Sequence, residues 1–366
     1  MNHLSQYLYS LALLLCTIHL TAQVDHLRNE VDKIIKYDTQ LEIDDNPGFI
    51  ISIIDQDSIY HLPYGKVYSD SNTAPTQNDI YEMGSITKSF TALLTLALQE
   101  RGILSLTDSI NQYITEYYQN DEMSGVTIHD LLIHQSGLPI SPDFIGKKTN
   151  GVGSPYENYD KIDLLNFYKK FNPKDKKSFK YSHTNYGLLE IILENATESS
   201  IEYLFDQYIF SKLLMHQTHM MNDSTAVTIG YDKANRERQP WKYKSHYASE
   251  GIVSTSTDLI KFVKAQFADK SNSLTESIKE CQKIQIEKSL NKSISSTYGW
   301  HISNRKSGQF PIYTNTGRTS GHNAFIAFVK ETKTAVIILS NSVLGTEDLG
   351  MQILRMINYN WKRKAN

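Results

Sequence analysis

The stretch Met83-Gly84-Ser85-Ile86-Thr87-Lys88-Ser89-Phe90-Thr91 places a small polar residue just before a helical pattern. Ile86, Phe90, Leu93, Leu94 and Ala97 recur at the spacing of one apolar helix face, so Ser85 opens a helix whose apolar side is buried. At such an end the unpaired N–H groups and the helix dipole favour negative charge, which helps an alkoxide form and steadies an oxyanion beside it. Lys88 lies one turn on and faces the same way. A neutral amine there can take the hydroxyl proton of Ser85, and desolvation together with the positive helix end favours that neutral form. The tetrad by itself fits equally a serine that caps its helix beside a surface lysine. Two more Ser-x-x-Lys tetrads, Ser289/Lys292 and Ser303/Lys306, sit in polar, Lys- and Asn-rich stretches with no apolar face after them and read as solvated loops.

Leu27, Val31, Ile34 and Ile35 share a face at helical spacing and predict a surface helix ahead of the polar segment 38–47. Gly48 to Ile54 and Ser58 to Tyr64 are β-branched and aromatic runs joined by Asp55-Gln56-Asp57, the pattern of a strand hairpin. Near the other end Phe310 to Thr314, Ala324 to Val329 and Ala335 to Leu339 are strand-like, and a helix from about Leu349 to Trp361 closes the chain. Between them the period is mostly helical, as at Ile201, Leu204, Phe205 and Tyr208, with loops around 141–156 and 171–180. Strands from both ends with helices between them predict an α+β fold, an antiparallel sheet flanked by helices with a largely helical insertion lobe at about residues 105–245. The cleft between the lobes is the expected site.

With 366 residues, 40% of them hydrophobic and 21% charged, the chain is long and apolar enough for a large core. A net charge of −3 offers no excess of cations to neutralise a phosphate backbone, which argues against nucleic acid as a partner. The apolar run Leu8 to Leu20 is too short to span a membrane and is followed by Thr21-Ala22. Residues 1–22 therefore read as an export signal, leaving 23–366 as one domain, periplasmic or secreted and without a transmembrane segment. Cys16 follows three leucines rather than small residues, which disfavours lipid attachment; Cys281 then stands alone and can form neither an internal disulfide nor a cysteine metal site.

The segment 83–91 resembles the nucleophile segment of the class C β-lactamase, D-Ala-D-Ala carboxypeptidase and serine esterase family. Further stretches agree in order. Thr127 to Pro139 is similar to that family's structural Leu-Leu-x-His-x-Ser-Gly-Leu-Pro element, Tyr181-Ser182-His183 to its Tyr-x-Asn element, and Ser249 to Thr255 to its glycine-containing turn before a helix. Tyr298-Gly299-Trp300 fits as well, and Asn315-Thr316-Gly317, followed by Arg318 and Gly321, takes the place of the Lys-Thr-Gly or His-x-Gly motif. The resemblance spans roughly residues 45–345 and implies a β-lactamase/transpeptidase-like fold.

It further implies an acyl-enzyme on Ser85, with Lys88 as proton acceptor and Tyr181 relaying the proton to the leaving group. The oxyanion hole would come from the backbone N–H groups of Ser85 and Arg318, and Asn315, Thr316, Gly317 and His183 would bind substrate. No cofactor and no metal is required, and the substrate is a small molecule or peptide bearing an ester, amide or β-lactam. His183 stands where the family has Asn, and Asn315 removes the cation that pairs with a substrate carboxylate, unless the Arg318 side chain restores it. The alternative reading is a non-catalytic module of the same fold that binds peptide or cell-wall fragments. Gln135-Ser136-Gly137 lacks the first glycine of a nucleophile elbow, His129 and His134 lie five apart with no His-Glu-x-x-His, and the lysines at 169–180 read as a solvated loop.

Overall fold

The computed structural model of the chain describes residues 24–39, 47–68, 71–142, 145, 153–173, 177–267, 271–291, 293–303 and 310–365. The expected export signal and Cys16 lie outside these residues, as do Lys292 and Lys306 of the two secondary tetrads.

An eight-stranded antiparallel sheet forms the frame. Its strands, in chain order, are β1 (Gly48–Asp55), β2 (Ser58–Gly65), β8 (Ile286–Asn291), β9 (Ile294–Ser296), β10 (His301–Ser303), β11 (Ile312–Arg318), β12 (Asn323–Val329) and β13 (Thr334–Ser340). Their spatial order is β2-β1-β13-β12-β11-β10-β9-β8, so strands from the two ends of the chain pair at the centre, Ile51 opposite Ile338. Shorter strands β3 (Tyr81–Glu82), β4 (His219–Met220) and β7 (Ile252–Ser254) make a second sheet, and β5 (Gly230–Tyr231) pairs with β6 (Glu237–Arg238).

The central strands show no polar alternation because both sheet faces are covered. Ile50 and Ile54 of β1, Ile326 and Phe328 of β12, and Ile337 and Leu339 of β13 join the larger core. Phe49, Ile51 and Ile53, Phe325 and Val329, and Val336 and Ile338 join the other. Over that second face lie α1 (24–38), through Val31, Ile34 and Ile35, and α10 (Glu347–Ala365), through Leu349, Ile353, Leu354 and Ile357. Burying one such aliphatic side chain is worth about 1.5–3 kcal/mol, so the two-sided strands carry much of the fold's stability.

The first face receives α2 (Thr87–Glu100), buried all round from Thr87 to Leu98, with α8 (Ser256–Gln266) and α9 (Thr275–Cys281) beside it. Phe90 of α2 stacks on Phe262 of α8 at 3.9 Å between ring centroids. Further helices are α3 (Ile128–Leu132), α4 (Lys161–Lys170), α5 (His183–Thr197), α6 (Ile201–Phe205), which runs on as a wider turn to Phe210, and α7 (Tyr247–Glu250).

One sequence expectation differs from the structure. Ser289 and Ser303 are in strands, β8 and β10, not loops. Their strands close the far edge of the sheet, where β8 is mostly exposed, so their composition is polar although their backbone pairs. The segment Ser249 to Thr255 does precede a helix: Glu250 ends α7, and Ile252–Ser254 pairs with β3 and β4 before Thr255 caps α8.

Candidate active site

Ser85 sits in a 3-10 turn, Gly84–Ile86, that feeds directly into α2. Two glycines allow β11 to press on this turn. Gly84 has φ +49°, and a Cβ there would stand 2.6 Å from the Arg318 amide nitrogen; a Cβ on Gly317 would overlap the Met83 carbonyl oxygen and reach within 2.9 Å of the Ser85 nitrogen. The backbone amides of Ser85 and Arg318 are thereby brought to one place, as an oxyanion hole needs. Gly317→Ala is expected to force the strand off the turn and to lower stability by about 1–3 kcal/mol, read as a lower urea midpoint. An unchanged midpoint would show that strand and turn are not held this tightly.

Tyr181 and His183 owe their positions to a helix cap. The Ser182 hydroxyl accepts the Asn185 N–H and starts α5, so the residues on either side of the cap project into the cleft. The segment 131–140 supports that cap: Ser182 donates to the Pro139 carbonyl at 2.6 Å, the His183 N–H to that of Ile140 at 2.8 Å, and Tyr186 to that of Leu132 at 3.0 Å. His134 is buried, accepts the Ser182 N–H on Nδ1 at 3.1 Å, and works as a packing residue. His129 instead hydrogen-bonds the Tyr298 hydroxyl at 2.7 Å.

Three side chains converge on the Ser85 Oγ, each at 3.0 Å: the Lys88 ammonium, the Tyr181 hydroxyl and the Glu250 carboxylate, to which Ser85 donates. Lys88 is 3% exposed and also donates to the Ser249 carbonyl at 3.0 Å, with His183 Nδ1 at 3.2 Å. Its nitrogen lies 5.3 Å from the Tyr181 ring centroid, so the two meet through the aromatic face, and the Tyr181 hydroxyl is directed at Ser85. The sequence pattern pointed to Ser85, Lys88, Tyr181 and His183, and the structure gathers all four.

Glu250 escaped the sequence reading. Its Oε1 stands 2.9 Å from His183 Nδ1 and 3.7 Å from Lys88, and its Oε2 accepts the Tyr156 hydroxyl at 2.9 Å. Burial alone would raise this carboxyl, but the charges of His183 and Lys88 and the hydrogen bonds from His183 and Tyr156 outweigh it and hold the group down at about 2. The available signal was an acid in an otherwise small and apolar run, Ala248-Ser249-Glu250-Gly251-Ile252-Val253. Proximity to Ser85 comes only from pairing: Met83 N–H donates to the Ile252 carbonyl at 2.9 Å and Ile252 N–H to the Thr87 hydroxyl at 3.2 Å.

The remaining expected residues are placed less uniformly. Thr316 and Arg318 line an open cleft of about 480 Å³ with Ser85, Tyr156, Trp241 and Glu250. Asn315 turns inward, its amide donating to Ser89 Oγ at 2.7 Å and the Gly299 carbonyl at 3.0 Å, while its Oδ1 accepts the Thr316 N–H. The Arg318 guanidinium pairs with Glu347 at 2.5 Å, so its charge is already matched before any substrate arrives.

Buried titratable groups around this site set an acid limit. Burial depresses His246 to about 3, His301 to about 4 and His134 well below the ordinary histidine value of 6.5. Each is neutral when folded and takes up a proton on unfolding, so its stabilising contribution is whole above pH 6.5 and is lost as pH falls towards its folded value. Glu250 acts in the same sense lower down, between 4.5 and about 2. Glu190 opposes them: burial raises it to about 7 despite Lys161 at 3.0 Å, so its contribution is lost as pH rises from 4.5 to 7. Between pH 6.5 and 4.5 three histidines gain protons on unfolding and Glu190 releases one. Stability should therefore fall on acidification through that window, since the histidines outnumber the opposing Glu190. Urea midpoints from pH 7 to 5 check this, and a flat profile would mean that these histidines are not held neutral.

Residues 37–358 match the protein family described as Beta-lactamase. The chain belongs to the beta-lactamase family. Its architecture is the β-lactamase/transpeptidase-like α+β fold: a class C beta-lactamase from Rhodobacter sphaeroides superimposes with a TM-score of 0.76 at 18% identity, over 91% of this chain and 99% of that one. Among curated relatives, Protein flp of Staphylococcus aureus (strain N315) is 26% identical over 342 residues, 86% of this chain and 63% of that protein. Penicillin-binding protein 4* of Bacillus subtilis (strain 168) is 26% identical over 325 residues, 82% of this chain and 69% of that protein. The chain thus spans somewhat under two thirds of the length of Protein flp.

Proposed function

We propose that this beta-lactamase family member is a serine hydrolase that passes through an acyl-enzyme on Ser85. The observation that carries the reading is the meeting of Lys88 and Tyr181 on one Ser85 oxygen, each at 3.0 Å, beside the closely apposed amides of Ser85 and Arg318. Ser85 Oγ attacks the substrate carbonyl, its proton passes to Lys88 once that ammonium has given up a proton, and Tyr181 protonates the leaving group and is restored by the proton held on Lys88. The tetrahedral oxyanion sits between the two backbone amides. Water then releases the acyl group.

The preferred substrates are esters or amides that lack a carboxylate beside the scissile bond. Asn315 is uncharged and turned towards Ser89 and Gly299, and Arg318 is paired with Glu347, so a substrate carboxylate finds no open cation on this strand. Such a carboxylate forgoes a charge-assisted hydrogen bond worth about 1.5–3 kcal/mol, roughly a ten- to hundredfold loss in affinity.

Incubation with a fluorophosphonate and, separately, with a labelled penicillin, read by intact mass, tests the proposal. A fluorophosphonate adduct on Ser85 with little or no penicillin adduct is expected. Rapid penicillin turnover would overturn the substrate preference. Failure of both probes to mark folded protein would leave a binding module for peptide or cell-wall fragments as the better reading.

A further inference from the structure

We infer that Glu250 is the base that activates water for hydrolysis of the acyl-enzyme, separate from the Lys88 and Tyr181 pair that forms it. The inference rests on the acylation of Ser85 proposed above and assigns a second half-reaction to a different side chain.

Ser85 itself supplies Glu250 with a donor. Before reaction the Ser85 hydroxyl donates to Oε1 at 3.0 Å. Once Oγ carries an acyl group it is an ester oxygen with no hydrogen to give, and two acceptors face each other across that same gap. The carboxylate cannot easily turn away. Oε2 is held by the Tyr156 hydroxyl, Oε1 by His183, and the Glu250 carbonyl by the Tyr243 hydroxyl at 3.0 Å. Oε1 keeps His183 but loses a donor on its Ser85 side, and the donor that an open cleft supplies there is water. Glu250 is 4% exposed yet lines the cleft that contains Ser85. A water donating to Oε1 there lies beside the carbonyl carbon bonded to Oγ, which is the atom it must attack.

The step balances without an added reactant. The water O–H bond breaks as its oxygen bonds the acyl carbon, and the proton goes to Glu250 Oε1 while the carbonyl electrons move onto the oxyanion. The tetrahedral intermediate then collapses: the carbon–Oγ bond breaks, the product acid leaves, and Oγ takes the proton back from Oε1. His183 and Lys88 keep Glu250 ionised and so able to take the proton, while the negative charge develops on the carbonyl oxygen between the amides of Ser85 and Arg318.

The test is a stopped-flow experiment with a p-nitrophenyl ester, followed by intact-mass analysis, on wild type, Glu250→Gln and Glu250→Asp. Expected for Glu250→Gln is a burst of nitrophenol close to one per enzyme at a rate within about tenfold of wild type, then turnover at least roughly 100-fold slower, with acylated Ser85 accumulating. Glu250→Asp, which keeps the charge but draws it back by one methylene, should fall between the two. If Glu250→Gln does not fold, acyl-enzyme accumulating in Glu250→Asp but not in wild type supports the assignment. Folded variants that turn over at the wild-type rate, or that lose burst and turnover together, would overturn it while leaving acylation of Ser85 in place. A wild type that forms no adduct and releases no nitrophenol would instead remove the acylation reading, and this inference with it.

Discussion

Ser85→Ala should lower kcat/KM for any ester substrate by at least about 10⁴-fold and abolish the fluorophosphonate adduct, while the protein stays folded. The oxygen it removes is the meeting point of Lys88, Tyr181 and Glu250. Neighbours that lose it keep other partners. Lys88 retains the Ser249 carbonyl and the Glu250 carboxylate, and Glu250 retains His183 and Tyr156. The stability change should therefore stay within about 1–2 kcal/mol. Steady-state kinetics and a thermal melt on the same preparation read both quantities. Residual activity near the wild-type level would place the nucleophile elsewhere and sink the proposed mechanism.

Lys88→Met is expected to do what Ser85→Ala does not, which is to cost activity and stability together. Activity should fall by roughly 10³- to 10⁴-fold because the proton acceptor for Ser85 is gone. Lys88 and Glu250 are 3% and 4% exposed and 3.7 Å apart, so removing the cation strands a buried carboxylate that then relies on His183 and the Tyr156 hydroxyl. Breaking a buried pair on one side costs about 3–5 kcal/mol, and the remaining partners put this case towards the lower figure. Urea midpoints beside burst kinetics separate the two effects. A Lys88→Met protein that still acylates at near wild-type rate would transfer the acylation role to Tyr181 or Glu250.

The terminal strands were legible because their chemistry is local. Gly48 to Ile54, Ser58 to Tyr64, Ala324 to Val329 and Ala335 to Leu339 are β-branched and aromatic runs, and each forms a strand within a residue or two of the expected bounds. The helix expected from Leu349 to Trp361 runs from Glu347 to Ala365. Strands β8 to β10 were not legible: Ile286–Asn291 alternates little and is largely exposed, so its pairing comes from the neighbouring strand rather than from its own composition. At the site, Ser85 and Lys88 could be picked out because a helix start leaves a mark in sequence, whereas Tyr181 and His183 came from the resemblance of Tyr181-Ser182-His183 to the family's Tyr-x-Asn element. Glu250 left almost none.

From sequence alone, then, came the α+β class, the strand hairpin near residue 50, the buried helix behind Ser85 and the family resemblance, all of which depend on residues close together in the chain. Tertiary structure alone decided that Glu250, 165 residues from Ser85, meets its hydroxyl, that Arg318 is already paired with Glu347, and that Asn315 turns towards Ser89. Those outcomes depend on which strand lies beside which turn. Burial and periodicity choose elements, but the partner of a charged side chain is chosen by packing between elements far apart in sequence, where the cost of leaving a buried charge unmatched is paid only once the chain has closed.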